Sequence, residues 1–271
     1  MKIATMRALR IASTIPCFFL LMTIYFSSAG DAQGVEPVIF EIQNKCPFPI
    51  WPATTPNSGH SAIASGSFLL SPGSSQQIEA PPSWNGRLWA RTGCNFDSSA
   101  GKPSCQTGDC EGLLECSTPG MPPATIVSLQ ADKGEPSYYD VSLLDGYNLP
   151  VSVAARPPQP GCFIAGCLKS PNTECPTDLQ VLAGEGSGGG AGQSAVVACK
   201  SACLAYDQDE YCCRNQYGTP ETCQPSSFST AFKEACPSYL SYAFDDIANS
   251  LHSCYTKEFV VTFCPSEWSS E

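Results

Sequence analysis

Positive charge is scarce in this chain: 14 Lys and Arg stand against 25 Asp and Glu, a formal net charge of −11. Binding to phosphate backbones depends on Lys and Arg releasing counterions, so so acidic a chain is not expected to bind nucleic acid. Imidazole is scarcer still, with His60 and His252 alone, and no two cysteines are spaced Cys-X-X-Cys. Zinc knuckles and dithiol redox centres rest on that spacing. No metal and no cofactor are therefore expected. Asn-X-Ser/Thr is absent, which removes N-linked glycosylation. The Gly-X-Ser-X-Gly elbow is absent too, and neither histidine has recognisable triad neighbours. Beyond residue 26 no apolar run approaches the roughly 20 residues that span a bilayer, and the tail SEWSSE is too polar for a lipid-anchor signal.

What is present begins with an export signal. Lys2, Arg7 and Arg10 precede an apolar stretch, Ile11 to Phe26, and small residues follow it. A basic start, a short apolar core broken by Pro16, and a small-residue exit describe a secretory signal peptide over 1–34, cleaved between 29 and 34. Its removal takes away three cations (Lys2, Arg7, Arg10) and one acid (Asp31), leaving 11 against 24, or −13. The mature chain is expected to be secreted, extracellular and monomeric, without an integral membrane segment.

Of 17 cysteines, Cys17 falls inside the signal, and 16 remain in about 237 residues. An even number in an exported chain reads as eight disulfides, although spacing alone does not assign partners. The staples are dense between Cys94 and Cys116 and between Cys162 and Cys236. Cys46 stands alone near the mature start, and Cys254 and Cys264 near the end.

Between the clusters lie short β-branched and aromatic runs bounded by Gly, Pro, Asn or Asp: 38–43, 48–51, 67–70, 75–78, 86–92, 124–130, 138–144, 150–154 and 259–263. Many short strands with 24 Pro and 22 Gly predict a mainly β chain, an antiparallel β-sandwich or barrel. The β core is expected over 35–92, 127–169 and 237–265, with a small disulfide loop region over 93–126. A disulfide-rich loop and helix subdomain is expected over 170–236, with helices at 194–206 and 228–236, and a polar tail over 266–271. Gly184 to Gly189 satisfies G-x-G-x-x-G, but GEGSGGGAG is low-complexity and Cys199 and Cys203 interrupt any βαβ unit. A flexible surface loop is the better reading there.

The segment GKPSCQTGDCEGLLEC at 101–116 closely resembles the signature of thaumatin-like proteins, the plant pathogenesis-related group 5. Pro103 stands where that signature usually has Gly or Phe. NKCPFPIWPAT at 44–54, GRLWARTGC at 86–94, DVSLLDGYNLP at 140–150, YCC at 211–213 and FCP at 263–265 extend the resemblance across the mature chain. The resemblance implies a sandwich beside an acidic cleft. It also implies the pairs Cys46–Cys264, Cys94–Cys105, Cys110–Cys116, Cys162–Cys254, Cys167–Cys236, Cys175–Cys199, Cys203–Cys212 and Cys213–Cys223.

Members of this family that bind or cleave β-1,3-glucan share an Arg, a Glu and three Asp in that cleft. The Arg maps to Arg87 and the Asp residues to Asp140, Asp145 and Asp246, whereas Ser128 occupies the place of the Glu. Glycoside hydrolysis needs one protonated and one ionised carboxyl, and a serine hydroxyl cannot serve as the acid. Asp145 is the one catalytic candidate, and Asp132 or Glu135 could replace the missing acid only by reaching the cleft. The resemblance therefore implies a secreted defence-type protein that binds β-1,3-glucan or another fungal surface component with little or no hydrolysis. A weak endo-β-1,3-glucanase is the alternative, and a stress or developmental protein without a glucan ligand is the second. On the competing structural reading, Asp140 and Asp145 cap turns, Arg87 pairs with one of them, and Asp109 shapes the stapled loop.

Overall fold

A computed structural model of the chain describes residues 36–97, 99, 101–131, 135–183 and 195–265. The expected signal peptide, the Gly-rich loop at 184–194, Asp132 and the tail 266–271 lie outside the described residues.

Two five-stranded sheets face each other. The first is ordered β3 (Ser75–Ala80), β1 (Val38–Asn44), β12 (Glu258–Phe263), β7 (Val151–Arg156), β8 (Phe163–Ile164). The second is ordered β11 (His252–Cys254), β6 (Ser137–Ser142), β5 (Ile126–Gln130), β4 (Asn85–Thr92), β2 (Ile50–Pro56). The alternation in VIFEIQN sends Val38, Phe40 and Ile42 inward, and EFVVTF does the same for Phe259, Val261 and Phe263. Leu88, Val127, Leu129, Tyr139 and Val141 answer from the other sheet. Tyr139 and Phe259 lock the layers edge to face, 5.2 Å between ring centroids.

All pairings within these sheets are antiparallel except β1 with β12, which run parallel where the two ends of the sandwich meet. Cys46–Cys264 closes that seam across 218 residues, and the other seven bridges are those that the family resemblance implies. A loop that long carries a large closure entropy, so this bridge restricts the unfolded chain strongly, on the order of 4 kcal/mol.

Three local expectations are corrected. Ser67–Leu70 is not a strand: only Leu70 pairs reciprocally, with Ile50, and Phe68 donates to the Pro52 carbonyl. Pro52 has no N–H to return, so the ladder stops. The described part of the helix expected at 194–206 is not one helix. Val196–Cys199 forms β10 against β9 (Gln180–Leu182), as suits its β-branched pair, and Cys199 exchanges both backbone bonds with Tyr147. The helix α1 (Ala202–Tyr206) starts only after Ser201, whose side chain caps Leu204 N–H. Phe48 lies outside β2, held between Pro47 and Pro49.

The remaining helices are α2 (Asp209–Cys212), α3 (Ser227–Ala235) and α4 (Ile247–Ser250). In α3, Ser226 and Ser229 form a reciprocal capping box, and Phe232 and Ala235 reach the core. Among the described residues no helix is long and apolar enough to cross a membrane.

Candidate functional site

The outer face of the second sheet is divided along its strands. At one end Trp89, registered against Ala53, lies under the stapled loop and donates from Nε1 to the Gly108 carbonyl at 2.8 Å. Gly108 has φ +64°, and a Cβ there would meet the indole at 2.9 Å, so glycine is required. Arg91, two residues along the same face, is 0% exposed. Its guanidinium donates to the carbonyls of Trp51, Leu113 and Leu114 at 3.2, 2.7 and 2.9 Å. Burial pushes its pKa down to about 10, with Asp109 and Glu115 acting in the opposite direction. Asp109 accepts the N–H groups of Cys105 and Gly112, which gives it a turn-shaping role in the loop.

Towards the other end of the same face, strand register sets four polar side chains in a row: Thr55, Arg87, Ser128 and Asp140. Neighbouring members of such a row have Cβ atoms about 5 Å apart. Ser128 donates its hydroxyl to the Asp140 carboxylate. Asp140 is half-buried, and burial pushes its pKa up to about 6 against the opposing pull of that hydrogen bond and of Arg87.

Asp145 joins the row from the turn after β6. Gly146, at φ +84°, packs its α-carbon so closely on Cys199 that a Cβ would lie 2.6 Å from the carbonyl oxygen. Ala124 N–H donates to the Asp145 carbonyl at 3.0 Å, fixing the turn. The Asp145 carboxylate lies 3.9 Å from the Arg87 guanidinium, both about half exposed, so the pair contributes at most about 1 kcal/mol.

A groove of about 210 Å³ opens beside Asp145, walled by Leu144, Glu210, Tyr211, Phe228 and Tyr242. Glu210 and Tyr211 come from α2 and were not anticipated from the sequence. Tyr206, Tyr211 and Phe228 support one another, with ring centroids 5.6–5.8 Å apart.

Asp246 comes from outside these strands, just before α4. It is the N-cap of α4, accepting from Ala248 N–H at 3.0 Å and from the Asn249 amide. Its neighbour Asp245 is buried and takes the N–H and hydroxyl of Ser241, the N–H of Asp246, and the Lys233 ammonium at 3.1 Å. Burial alone would raise the Asp245 pKa, but these donors hold it below the usual carboxylate range. Glu135 lines a different hollow with Glu36 and Arg156, so it does not take the place of the carboxyl that Ser128 lacks.

Chemically the row offers two carboxylates, one guanidinium and two hydroxyls, next to aromatic walls. Such a set accepts and donates hydrogen bonds to a polyhydroxylated neutral molecule. It lacks a carboxyl at position 128.

The thaumatin family model matches residues 44–265. Pathogenesis-related thaumatin-like protein 3.5 of Cryptomeria japonica is 42% identical over 262 residues, covering 96% of this chain and 100% of that protein. Pathogenesis-related protein 5 of Arabidopsis thaliana is 42% identical over 255 residues, covering 93% and 100%. The solved structure of the thaumatin-like xylanase inhibitor TLXI aligns over 83% of this chain and 99% of its own, at 21% identity and a TM-score of 0.44. The matched span takes in the sandwich strands from β2 to β12, the stapled loops and every residue of the polar row: the chain belongs to the thaumatin family, alongside plant pathogenesis-related thaumatin-like proteins.

Proposed function

We propose that this is a secreted, defence-type thaumatin-like protein that holds β-1,3-glucan, or a related neutral polysaccharide of the fungal surface, without appreciable hydrolysis. The observation that carries the reading is the registered row Arg87–Ser128–Asp140, with Asp145 against Arg87 at the mouth of the groove. Carboxylates accept from sugar hydroxyls, Arg87 donates, and Tyr211 and Tyr242 offer apolar faces to pyranose rings. The same row argues against turnover, because Ser128 sits where a protonated carboxyl would assist the leaving oxygen. Eight disulfides suit an oxidising extracellular setting.

A second reading, weak endo-β-1,3-glucanase activity, is favoured by one specific feature. With its pKa pushed up to about 6, Asp140 retains a transferable proton in mildly acidic solution. Release of reducing ends from laminarin by the natural protein and by Ser128→Glu separates the two. Binding without release by the natural protein, with release gained by the variant, supports the first reading. Slow release by the natural protein that Asp140→Asn abolishes supports the second. Absence of saturable laminarin binding removes both and leaves an extracellular role without a glucan ligand.

A further inference from the structure

A larger cavity, of about 600 Å³, lies elsewhere in the sandwich and shares no lining residue with the groove. Its size falls within the roughly 300–1,000 Å³ typical of small-molecule sites. Its apolar walls are Phe48, Trp51, Leu149, Val196, Val197 and prolines from two loops, and uncharged polar side chains line the rest. No carboxylate, ammonium, guanidinium or imidazole lines it. In a chain of net charge −11 that neutrality is informative, because an unpaired ionic ligand would lose its hydration there without compensation.

The walls are held in place before any ligand arrives. Asn44, fully buried, donates to the carbonyls of Phe48 and Leu70 at 3.0 and 2.9 Å, and its own oxygen accepts Cys46 N–H at 2.9 Å. Cys46–Cys264 braces the same corner. This rigid corner keeps Phe48 40% exposed between two prolines, a placement that packing of the core does not require. Asn148, also on the wall, has its amide fully used: it donates to Ala90 and Thr107, and accepts from Thr125 and Leu149. Gln106 differs. Its side chain lies on Gly93, where a Cβ would come within 2.4 Å of Oε1, and its carboxamide has no hydrogen-bond partner among the described residues. Two neutral polar groups therefore remain among the described residues of the wall, the Gln106 carboxamide and the buried Asn172 Oδ1, beside Thr92, Tyr147 and Ser170.

From this we infer that the cavity is a binding site for a flat, uncharged aromatic molecule bearing a hydroxyl group, a phenol, with its ring against Phe48 and Trp51 and its hydroxyl on Gln106. Aromatic rings gain from offset or edge contacts beyond the area they bury, and the carboxamide completes the one polar requirement of the ligand.

The test titrates the oxidised full-length mature protein with 2-naphthol, 2-methoxynaphthalene and 2-naphthoate by isothermal calorimetry. The site predicts saturable one-to-one binding of 2-naphthol, at least tenfold tighter than 2-naphthoate. Gln106→Leu should erase the preference for 2-naphthol over its methyl ether, and Phe48→Ser should weaken both. Near-UV circular dichroism identical to the parent shows that each variant is folded. Absence of saturable 2-naphthol binding overturns the inference, as does equal binding of the naphthoate. Folded variants that bind like the parent overturn it as well. Laminarin binding should be unchanged in both variants, so this site and the polysaccharide groove stand or fall separately.

Discussion

Arg91→Met removes a buried cation from the hinge between the sheet and the stapled loop. The guanidinium serves three carbonyls, of Trp51, Leu113 and Leu114, and lies over the Phe96 ring at 5.5 Å. Methionine keeps much of the volume and serves none of them. Hydrogen bonds from a charged donor contribute about 1.5–3 kcal/mol each, and with all three carbonyls only part-buried the low end applies, about 4 kcal/mol together. Part is offset, because the variant is spared the burial of a cation, the same burial that pushes the Arg91 pKa down to about 10. No buried charge is stranded, so the net loss expected is about 2–4 kcal/mol. Guanidinium-chloride unfolding monitored by tryptophan fluorescence measures it. Proteolysis should cut first within 110–116, since Cys110–Cys116 retains the loop but no longer its carbonyl anchors. Arg91→Lys keeps the charge without the fork and should lose less. A stability of Arg91→Met within 1 kcal/mol of the parent would refute the reasoning.

Other perturbations act closer to the groove. Asp140 has a folded-state pKa raised from 3.8 to about 6, so its favourable contribution is complete below about 3.8 and is lost as pH rises through 6. Asp140→Asn should therefore gain stability relative to the parent between pH 4 and pH 7, read from parallel denaturation curves; a constant difference contradicts this. Lys233→Met strands the buried Asp245 carboxylate, whose depressed pKa makes its contribution present above about 3.8 and lost as pH falls through the folded value. That variant should lose about 3–5 kcal/mol at pH 7 and less at pH 3 in the same assay. Asp246→Ala removes the α4 cap and should lower stability by about 1 kcal/mol while leaving laminarin affinity unchanged. An affinity loss in a folded Asp246→Ala protein would return Asp246 to the ligand site.

The parts legible in the sequence were those written in local pattern. VIFEIQN and EFVVTF alternate so regularly that strand and buried face follow directly, and the helix expected at 228–236 is α3. The row of Arg87, Ser128 and Asp140 depends on the register of three strands, which no single segment encodes. Likewise the parallel pairing of β1 with β12 joins segments more than 200 residues apart, and nothing local announces it. Val196 and Val197 read as the start of a helix only while β9 is unknown; pairing with Gln180–Leu182 lets their β-branched preference decide. Glu210 and Tyr211 were missed because their closeness to Asp145 arises from packing of α2 and not from any spacing. Asp245 and Asp246 are adjacent in sequence, and only burial separates the ion-paired one from the capping one.

The most direct test of the central claim is calorimetric titration of laminarin into the mature, oxidised protein, with reducing ends assayed in the same cell. Saturable binding is predicted, at least tenfold weaker in the double variant Arg87→Ala/Asp145→Asn, with no reducing ends released by the natural protein. Heat that does not saturate, or binding that the double variant retains in full, would contradict the account.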